Sequence, residues 1–176
     1  MIKYYFSFIL IKIMEIDNKP TLKGEIKKAR ASNYDFVRCI NEFIDNSIDT
    51  DANNIVINFG IDSNYNIQDI IISDNSSNGI EVNKIQKIFS WTYERERKEH
   101  EIGYFGTGFK SASVNLGNKL KLYTFDKKNN KYYICEADWG KMILNNNWVP
   151  DLTEITDSFY KKNHYKEFNN GTTFII

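Results

Sequence analysis

The stretch Asn33–Asp51, NYDFVRCINEFIDNSIDTD, decides the fold, because it predicts a helix whose two sides differ in chemistry. At about 100° per residue, one side of this helix is apolar and should face a core. That side carries Phe36, Val37, Ile40, Phe43, Ile44 and Ile48. The other side is polar, and it carries Glu42, Asp45, Asn46 and Asp49.

The polar side differs from that of an ordinary surface helix, which alternates acids with Lys or Arg because such i,i+4 pairs are stabilising. After Arg38 it holds only carboxylates and one carboxamide. Glu42 and Asn46 lie one turn apart, so both can point into a single pocket. Oxygen ligands at this spacing suit Mg²⁺ held with a polyphosphate, and a neighbouring Glu suits water activation. For this helix alone, a solvated acidic face explains the pattern equally well.

The composition predicts one globular domain, since 41% of the 176 residues are hydrophobic and 15% are aromatic. Lys plus Arg and Asp plus Glu both number 23, so no global basic field favours nucleic acid. The two cysteines, Cys39 and Cys135, suit buried thiols in a reducing compartment. We therefore expect a cytoplasmic protein.

The first thirteen residues, MIKYYFSFILIKI, contain an apolar run at 4–11 that is too short to span a bilayer. No small-residue cleavage site follows, so we expect no membrane partner. The run could form an edge strand or a dimer-swapped arm, or it could precede a true start at Met14. We expect residues 1–29 to be an N-terminal extension or lead-in and residues 30–176 to be the domain.

Beyond this helix the hydrophobic period changes to that of strands, separated by turn-forming segments. The pattern predicts a hairpin over 55–59 and 67–73, a helix over 81–89, a second hairpin over 119–125 and 131–139, a ragged helix over 153–168 and a last strand over 171–176. Strand pairs flanked by helices predict a two-layer α/β sandwich.

Asp74 follows an apolar strand, where its carboxylate could hold a flat base through one charge-assisted hydrogen bond. Gly79 would remove a side chain that blocks the base. The sequence Asp-Asn-Ser is also ordinary turn sequence, so Asp74 alone is a weak signal.

A glycine-rich loop, GYFGTG, spans residues 103–108 and opens a helix near Phe109. Its backbone N–H groups could approach phosphate oxygens at the helix N-terminus, where Lys110 adds a positive charge. A dinucleotide-binding GxGxxG needs the reverse spacing, and a P-loop needs Lys directly after Gly, so both alternatives fail. The expected phosphate contacts are Gly103, Tyr104, Phe105, Gly106, Thr107, Gly108, Phe109 and Lys110.

Together, the segments Asn33–Asp51, Ile70–Ile80 and Ile102–Gly117 resemble the N, G1 and G2 boxes of the GHKL superfamily. Its members are gyrase, heat-shock chaperone ATPases, sensor histidine kinases and MutL. The closest resemblance is to the microrchidia (MORC) ATPases, which share the EL-DNS-DA style of first box and the GxxGxGxKS style of lid. The resemblance covers residues 30–176. It implies a Bergerat-type sandwich with a mixed, mostly antiparallel sheet and helices on one face.

The chain departs from the superfamily pattern in its second box. The usual DxGxG is replaced by DNSSNG at residues 74–79, which is one residue longer and lacks the first glycine. Gly171-Thr172 resembles the late GT strand of the superfamily, whose Thr helps to hold the adenine-reading Asp and an ordered water.

The resemblance implies ATP and Mg²⁺ as cofactors, with hydrolysis coupled to lid closure or dimerisation. Asn46 would bind Mg²⁺, Asp74 would read adenine, and Glu42 would orient or deprotonate the attacking water. Asp49 and Thr172 would also contact the nucleotide.

Two other functions stay open: a non-hydrolysing nucleotide sensor or adaptor, and a histidine kinase catalytic domain. The kinase is disfavoured because such domains usually lack a Glu at the position of Glu42. Related ATPases also use a transducer-domain Lys at the γ-phosphate, which an ATP-dependent homodimer or a partner chain would supply.

Overall fold

The structure is a computed structural model that describes residues 20–89 and 108–176. No helix within these residues is long and apolar enough to cross a membrane. The elements are α1 (Leu22–Arg30), α2 (Phe36–Asp49), β1 (Ile55–Ile61), β2 (Ile67–Asp74), α3 (Val82–Phe89), α4 (Gly108–Leu116), β3 (Lys119–Asp126), β4 (Lys131–Asp138), α5 (Trp139–Leu144), β5 (Asp151–Ile155), α6 (Asp157–Asn163) and β6 (Thr172–Ile175).

The six strands form one sheet in the order β1-β2-β6-β3-β4-β5. Every pairing within the described residues is antiparallel. The last strand, β6, is inserted between β2 and β3, with Phe174 opposite both Ile72 and Leu122. This insertion brings Thr172, at the start of β6, beside Asp74, at the end of β2.

The main core lies between one face of the sheet and helices α1 to α5. Strand alternation places Ile72 of β2 and Phe174 of β6 on this face. The Phe43 ring of α2 lies 5.0 Å from the Phe174 ring and 5.3 Å from the Phe109 ring of α4, both in edge contact. These aromatic contacts hold α2 and α4 side by side on the centre of the sheet.

The predicted α/β class and two-layer Bergerat-type sandwich are confirmed. The opposite face of the sheet is also partly covered, because α6 packs there. Tyr160 of α6 is buried against Tyr123, Phe125 and Ile134 in a second, smaller core. The main helix layer therefore leaves one face of the sheet to α6 and to solvent.

The predicted apolar side of α2 is wrong for three of its members. Phe36, Val37 and Ile48 keep 48%, 65% and 47% of their surface exposed. The buried residues of α2 are Cys39, Ile40, Phe43 and Ser47. Helix α2 packs against α4 and against the centre of the sheet, where Phe43 contacts Phe174. Because of these two contacts, the buried side of the helix is rotated toward its polar residues. The polar side is consequently half-buried and close to α4.

All of helix α1 except its last residue, Arg30, lies within residues 1–29, which we expected to be an extension or lead-in. Leu22, Ile26 and Ala29 are spaced at one face of this helix, and they are buried in the main core. The packed part of the domain thus includes α1. The Lys and Glu residues around this short apolar stripe make it hard to recognise in the sequence.

The helix predicted over residues 153–168 is wrong in its bounds. The structure has strand β5 (Asp151–Ile155) followed by the short helix α6 (Asp157–Asn163). Thr156 separates the two as the N-cap of α6, and its side chain accepts a hydrogen bond from the Phe159 backbone N–H. A cap at this position starts a new helix and ends the extended segment.

His164, which follows α6, is buried beneath the sheet in a chain of hydrogen bonds. Its Nε2 lies 3.2 Å from the carbonyl oxygen of Asn170, so Nε2 must carry a proton. In the neutral ring Nδ1 then accepts from the Thr173 hydroxyl at 2.7 Å. The Thr173 oxygen in turn lies 2.8 Å from the Ser73 hydroxyl. Burial lowers the pKa of His164.

We predict that this histidine makes the fold sensitive to mild acid. The unfolded chain binds a proton at His164 as the pH falls below about 6.5, whereas the folded chain resists it, so stability should fall until the folded pKa is passed. Urea unfolding from pH 7.5 to pH 5 measures this loss. The stability difference between wild type and His164→Gln should narrow over that range; a constant difference would contradict the account.

Candidate functional site

Asp74 lies at the end of β2 with only 2% of its surface exposed. Its Oδ1 accepts hydrogen bonds from the backbone N–H groups of Ser76 and Thr172, both at 3.0 Å. Its Oδ2 accepts from the Ser47 hydroxyl of α2, also at 3.0 Å. A carboxylate offers about four lone-pair sites. One lone-pair site on Oδ2 therefore has no donor among the described residues.

Gly171 allows β6 to approach Asp74 this closely. Its φ is +136°, which L side chains rarely adopt, and a Cβ there would lie 1.9 Å from the Asp74 carbonyl oxygen. The Thr172 N–H can reach the Asp74 carboxylate only because residue 171 has no side chain.

Gly79 is required by the packing of its own loop, in addition to the role in base binding that we expect of it. A Cβ at Gly79 would lie 1.8 Å from the carbonyl oxygen of Phe125. Its φ of +57° is likewise left-handed. Gly79 thus lets the loop after β2 lie against the end of β3. Thr124 of β3 secures that loop by accepting from the Ile80 N–H at 2.9 Å.

Thr172, predicted to contact the nucleotide, joins this network through its side chain as well. Its hydroxyl lies 3.1 Å from the Thr124 hydroxyl. Both threonines are buried, with 1% and 0% exposure. The start of β6 is therefore linked to Asp74 through its backbone and to β3 through its side chain.

The polar side of α2 runs from Glu42 through Asn46 to Asp49, and all three residues are half-buried. The Asn46 amide nitrogen donates to the backbone carbonyl of Glu42, one turn earlier. This bond fixes the side-chain amide through its nitrogen and leaves Oδ1 as an acceptor. Asp49 ends α2, and together with burial its charge raises the pKa of neighbouring Asp45.

The Glu42 carboxylate is held between two groups. Oε1 accepts a hydrogen bond from the Tyr34 hydroxyl at 3.2 Å. Oε2 lies against Gly108, the first residue of α4, where a Cβ would come within 1.8 Å of it. Glu42 therefore lies at the N-terminus of α4, 66 residues away in the chain, where backbone N–H groups favour anions.

Tyr34 is itself fixed by its neighbours. The Arg38 guanidinium lies 4.1 Å from the centre of the Tyr34 ring. Burial and the nearby Glu42 charge raise the pKa of Tyr34, so its hydroxyl stays protonated and donates.

The first turn of α4 carries two predicted phosphate contacts, and the structure buries both. Phe109 packs in the core against the rings of Phe43, Phe89 and Phe174, so it can offer a ligand only its backbone. Lys110 has 2% exposure, and burial lowers the pKa of its ammonium group to about 8. Lys110 is therefore a buried cation at the start of α4.

The other predicted loop contacts lie outside the described residues. These are Gly103, Tyr104, Phe105, Gly106 and Thr107. The part of the expected phosphate site that the structure describes consists of residues of α2 and α4.

The opposite end of α4 is attached to α1 by hydrogen bonds from Arg30. A shallow groove there is lined by Arg30, Asn118 and the last residues of α4. Arg30 Nε donates to the Val114 carbonyl and Arg30 Nη2 to the Asn118 side chain, both at 2.9 Å. Arg30 thereby caps the C-terminus of α4 and fixes α1 to it.

Magnesium fits this site only as an ion shared with a ligand. Within the part of the chain that the structure describes, no cluster of three or more His, Cys, Asp or Glu could hold a metal. Mg²⁺ usually keeps several waters and takes one or two protein ligands beside phosphate oxygens. The fixed Oδ1 of Asn46 suits that role.

Two residues that position the site, Ser47 and Tyr34, were not predicted from the sequence. Ser47 was overlooked because it lies between Asn46 and Ile48 in a helix whose buried side we had placed elsewhere. Tyr34 precedes the helix, so no helical periodicity marked it. The one available signal was its spacing of two turns from Glu42.

Comparison with known proteins yields one family. The model of the family described as "Histidine kinase-, DNA gyrase B-, and HSP90-like ATPase" matches residues 34–172. This range is more than half of the chain, and it runs from Tyr34 to Thr172 with Glu42, Asn46 and Asp74 inside it. No curated protein matches the chain.

We predict that Gly171→Ala destabilises the fold by at least about 2 kcal/mol, because it forces a strained φ and a clash with the Asp74 carbonyl. Gly140→Ala is the matched control. Gly140 lies exposed in α5, and the nearest atom to its Cβ would be 3.4 Å away, so alanine should be neutral or stabilising. Urea unfolding compares the two variants. Equal stabilities would disprove the close approach of β6 to Asp74.

Proposed function

The chain belongs to the histidine kinase-, DNA gyrase B- and HSP90-like ATPase family, and from that premise we propose that it hydrolyses ATP with Mg²⁺ beside α2. Membership in this family establishes an ATP-binding domain of the GHKL superfamily. The observation that supports hydrolysis is the position of the Glu42 carboxylate beside the N-terminus of α4. Glu42 belongs to α2, the same helix whose Ser47 donates a hydrogen bond to Asp74.

Adenine would bind at the Asp74 end of this site. The exocyclic amine of adenine is a hydrogen-bond donor, and the open lone pair on Asp74 Oδ2 is an acceptor. The three donors that hold the carboxylate prevent it from turning away. Guanine presents a carbonyl oxygen at the same position, which a carboxylate repels.

The phosphates would bind at the N-terminus of α4. Backbone N–H groups at the start of a helix lack intrahelical partners and favour anions. The Lys110 ammonium lies in this first turn, and phosphate charge nearby would restore a higher pKa. We propose that residues 103–107 close over the phosphates as a lid.

Asn46 would hold the magnesium ion through Oδ1. When bound, the ion would neutralise charge on the phosphate oxygens and so favour the departure of ADP from the γ-phosphorus. Asn46 lies between Ser47 and Glu42 on α2, whose 1.5 Å rise per residue spaces these residues over roughly 8 Å. One helix would thus carry the residue that positions Asp74 for the base, the residue that holds the metal and the residue that acts on the attacking water.

Glu42 would act on the water that attacks the γ-phosphorus. Its carboxylate accepts a proton from the water as the new P–O bond forms, and the bond to the ADP oxygen breaks. The Tyr34 hydroxyl, donating to Oε1, keeps the carboxylate in one orientation, and Oε2 faces the N-terminus of α4. The proton then returns to solvent or to the released phosphate.

We also propose three features that the resemblance to the GHKL superfamily implies. They are the microrchidia type, ATP-dependent dimerisation, and a transducer-domain Lys supplied by a partner chain. A cytoplasmic location is supported by Cys39 and Cys135, which are both buried free thiols.

We predict that ATP with Mg²⁺ stabilises the protein and that GTP does so far less. A nucleotide at a hundred times its dissociation constant should add about 2.7 kcal/mol to the free energy of unfolding. Thermal shift measurements with both nucleotides report this difference. Equal shifts for ATP and GTP would rule out Asp74 as the group that reads adenine.

We also predict that Glu42→Gln abolishes hydrolysis while ATP still binds, whereas Asn46→Ala weakens both. Glutamine cannot take the water's proton, so the rate should fall about 10²- to 10⁴-fold. Asn46 would hold the magnesium ion that accompanies the phosphates, so its loss should also reduce affinity. Single-turnover phosphate release and calorimetric ATP binding separate the two effects.

Glu154→Gln serves as the control, because Glu154 is an exposed residue of β5 that pairs with Lys131. This variant should match wild type in both assays. If Glu42→Gln releases phosphate at the wild-type rate, the catalytic assignment fails. ATP binding without detectable release by wild type would favour the nucleotide-sensor function.

A further inference from the structure

Ser76 is fully buried, and its hydroxyl has no hydrogen-bond partner within the described residues. Its backbone N–H is bonded to Asp74 Oδ1 at 3.0 Å, so its side chain lies within a few ångströms of the Asp74 carboxylate. Burying a hydroxyl without a partner destabilises a folded protein. A hydroxyl retained at such a cost calls for a functional explanation.

The other hydroxyls of this network are already engaged. Ser47 donates to Asp74 Oδ2, and the hydroxyls of Thr172 and Thr124 bond to each other at 3.1 Å. Thr124 also accepts from the Ile80 N–H. The Thr124 hydroxyl also lies 3.5 Å from the Phe125 carbonyl oxygen, so Thr172 can donate to Thr124 while Thr124 donates to Phe125. With the protons of Ser47, Thr124 and Thr172 engaged in this way, the Ser76 proton is left for a ligand.

The chemistry of adenine requires such a proton. Its exocyclic amine donates a hydrogen bond, and the adjacent ring nitrogen N1 accepts one. A carboxylate can satisfy the amine, but it cannot satisfy N1. Full recognition of this edge of the base needs one acceptor and one neutral donor side by side.

We propose that the Ser76 hydroxyl donates to adenine N1 and makes Ser76, with Asp74, a specificity-determining residue for the base. This inference rests on the proposed placement of adenine at Asp74. Asp74 Oδ2 accepts from the amine, and Ser76 Oγ, two residues later in the same turn, donates to N1. The hydroxyl that is unsatisfied in the free protein becomes satisfied when the nucleotide binds.

The test combines one substitution with one altered ligand. Ser76→Ala removes the hydroxyl, and 1-deaza-ATP replaces N1 by a C–H group that cannot accept. Ser77→Ala is the matched control, because Ser77 is the exposed next residue of the same loop. Dissociation constants for ATP and 1-deaza-ATP are measured by calorimetry on wild type and both variants, and apo stability is measured by urea unfolding.

Ser76→Ala should weaken ATP binding roughly three- to tenfold, the size of one neutral hydrogen bond. It should leave 1-deaza-ATP binding within twofold of wild type. The apo variant should be as stable as wild type or more stable, because a buried unsatisfied hydroxyl is gone. Ser77→Ala should change none of these values.

Two results would overturn the proposal: an equal effect of Ser76→Ala on ATP and 1-deaza-ATP, or no effect on either. Should Ser76→Ala fail to fold, wild type alone still decides the matter, since equal affinities for ATP and 1-deaza-ATP contradict a bond to N1. These failures leave the proposed function standing. Absence of ATP binding by wild type would instead refute the proposed placement of the nucleotide.

Discussion

The structure depends on one buried carboxylate that three separate segments hold in place. Asp74 accepts hydrogen bonds from α2 through Ser47, from its own turn through Ser76 and from β6 through Thr172. Each bond removes part of the cost of burying a charge. Together they leave one lone pair in a fixed direction. The same bonds that stabilise the fold thereby prepare the carboxylate to bind a donor.

This arrangement explains why the strand order and the glycines matter. Only the insertion of β6 between β2 and β3 brings Thr172 to Asp74, and only a residue without Cβ at position 171 permits the contact. Helix α2 then connects this carboxylate to α4, because its Ser47 is bonded to Asp74 and its Glu42 lies against Gly108. The two ends of the proposed site, one for the base and one for the phosphates, are therefore positioned by a single helix. The contacts of the Phe43 ring with Phe109 and Phe174 hold that helix in place.

Much of this could be read from the sequence, because the signals were local. Alternating apolar residues identified the two hairpins, and the position of Asp74 after an apolar strand identified the end of β2. The rotation of α2 could not be read, since helical periodicity cannot say that Ser47 is buried against Asp74 while Val37 stays exposed. The packing role of Gly79 also escaped prediction: it depends on the Phe125 carbonyl, which is distant in sequence. The burial of Lys110 could not be predicted either, because it depends on how α4 packs. The spacing of the glycines indicated only that Lys110 follows the loop.

The most direct measurement is a crystal structure of the full chain with Mg²⁺ and a non-hydrolysable ATP analogue. The account predicts the adenine amine at about 3 Å from Asp74 Oδ2, with the bonds from Ser47, Ser76 and Thr172 unchanged. A base bound away from Asp74, or an Asp74 carboxylate that keeps only its three protein donors while the nucleotide is present, would contradict it.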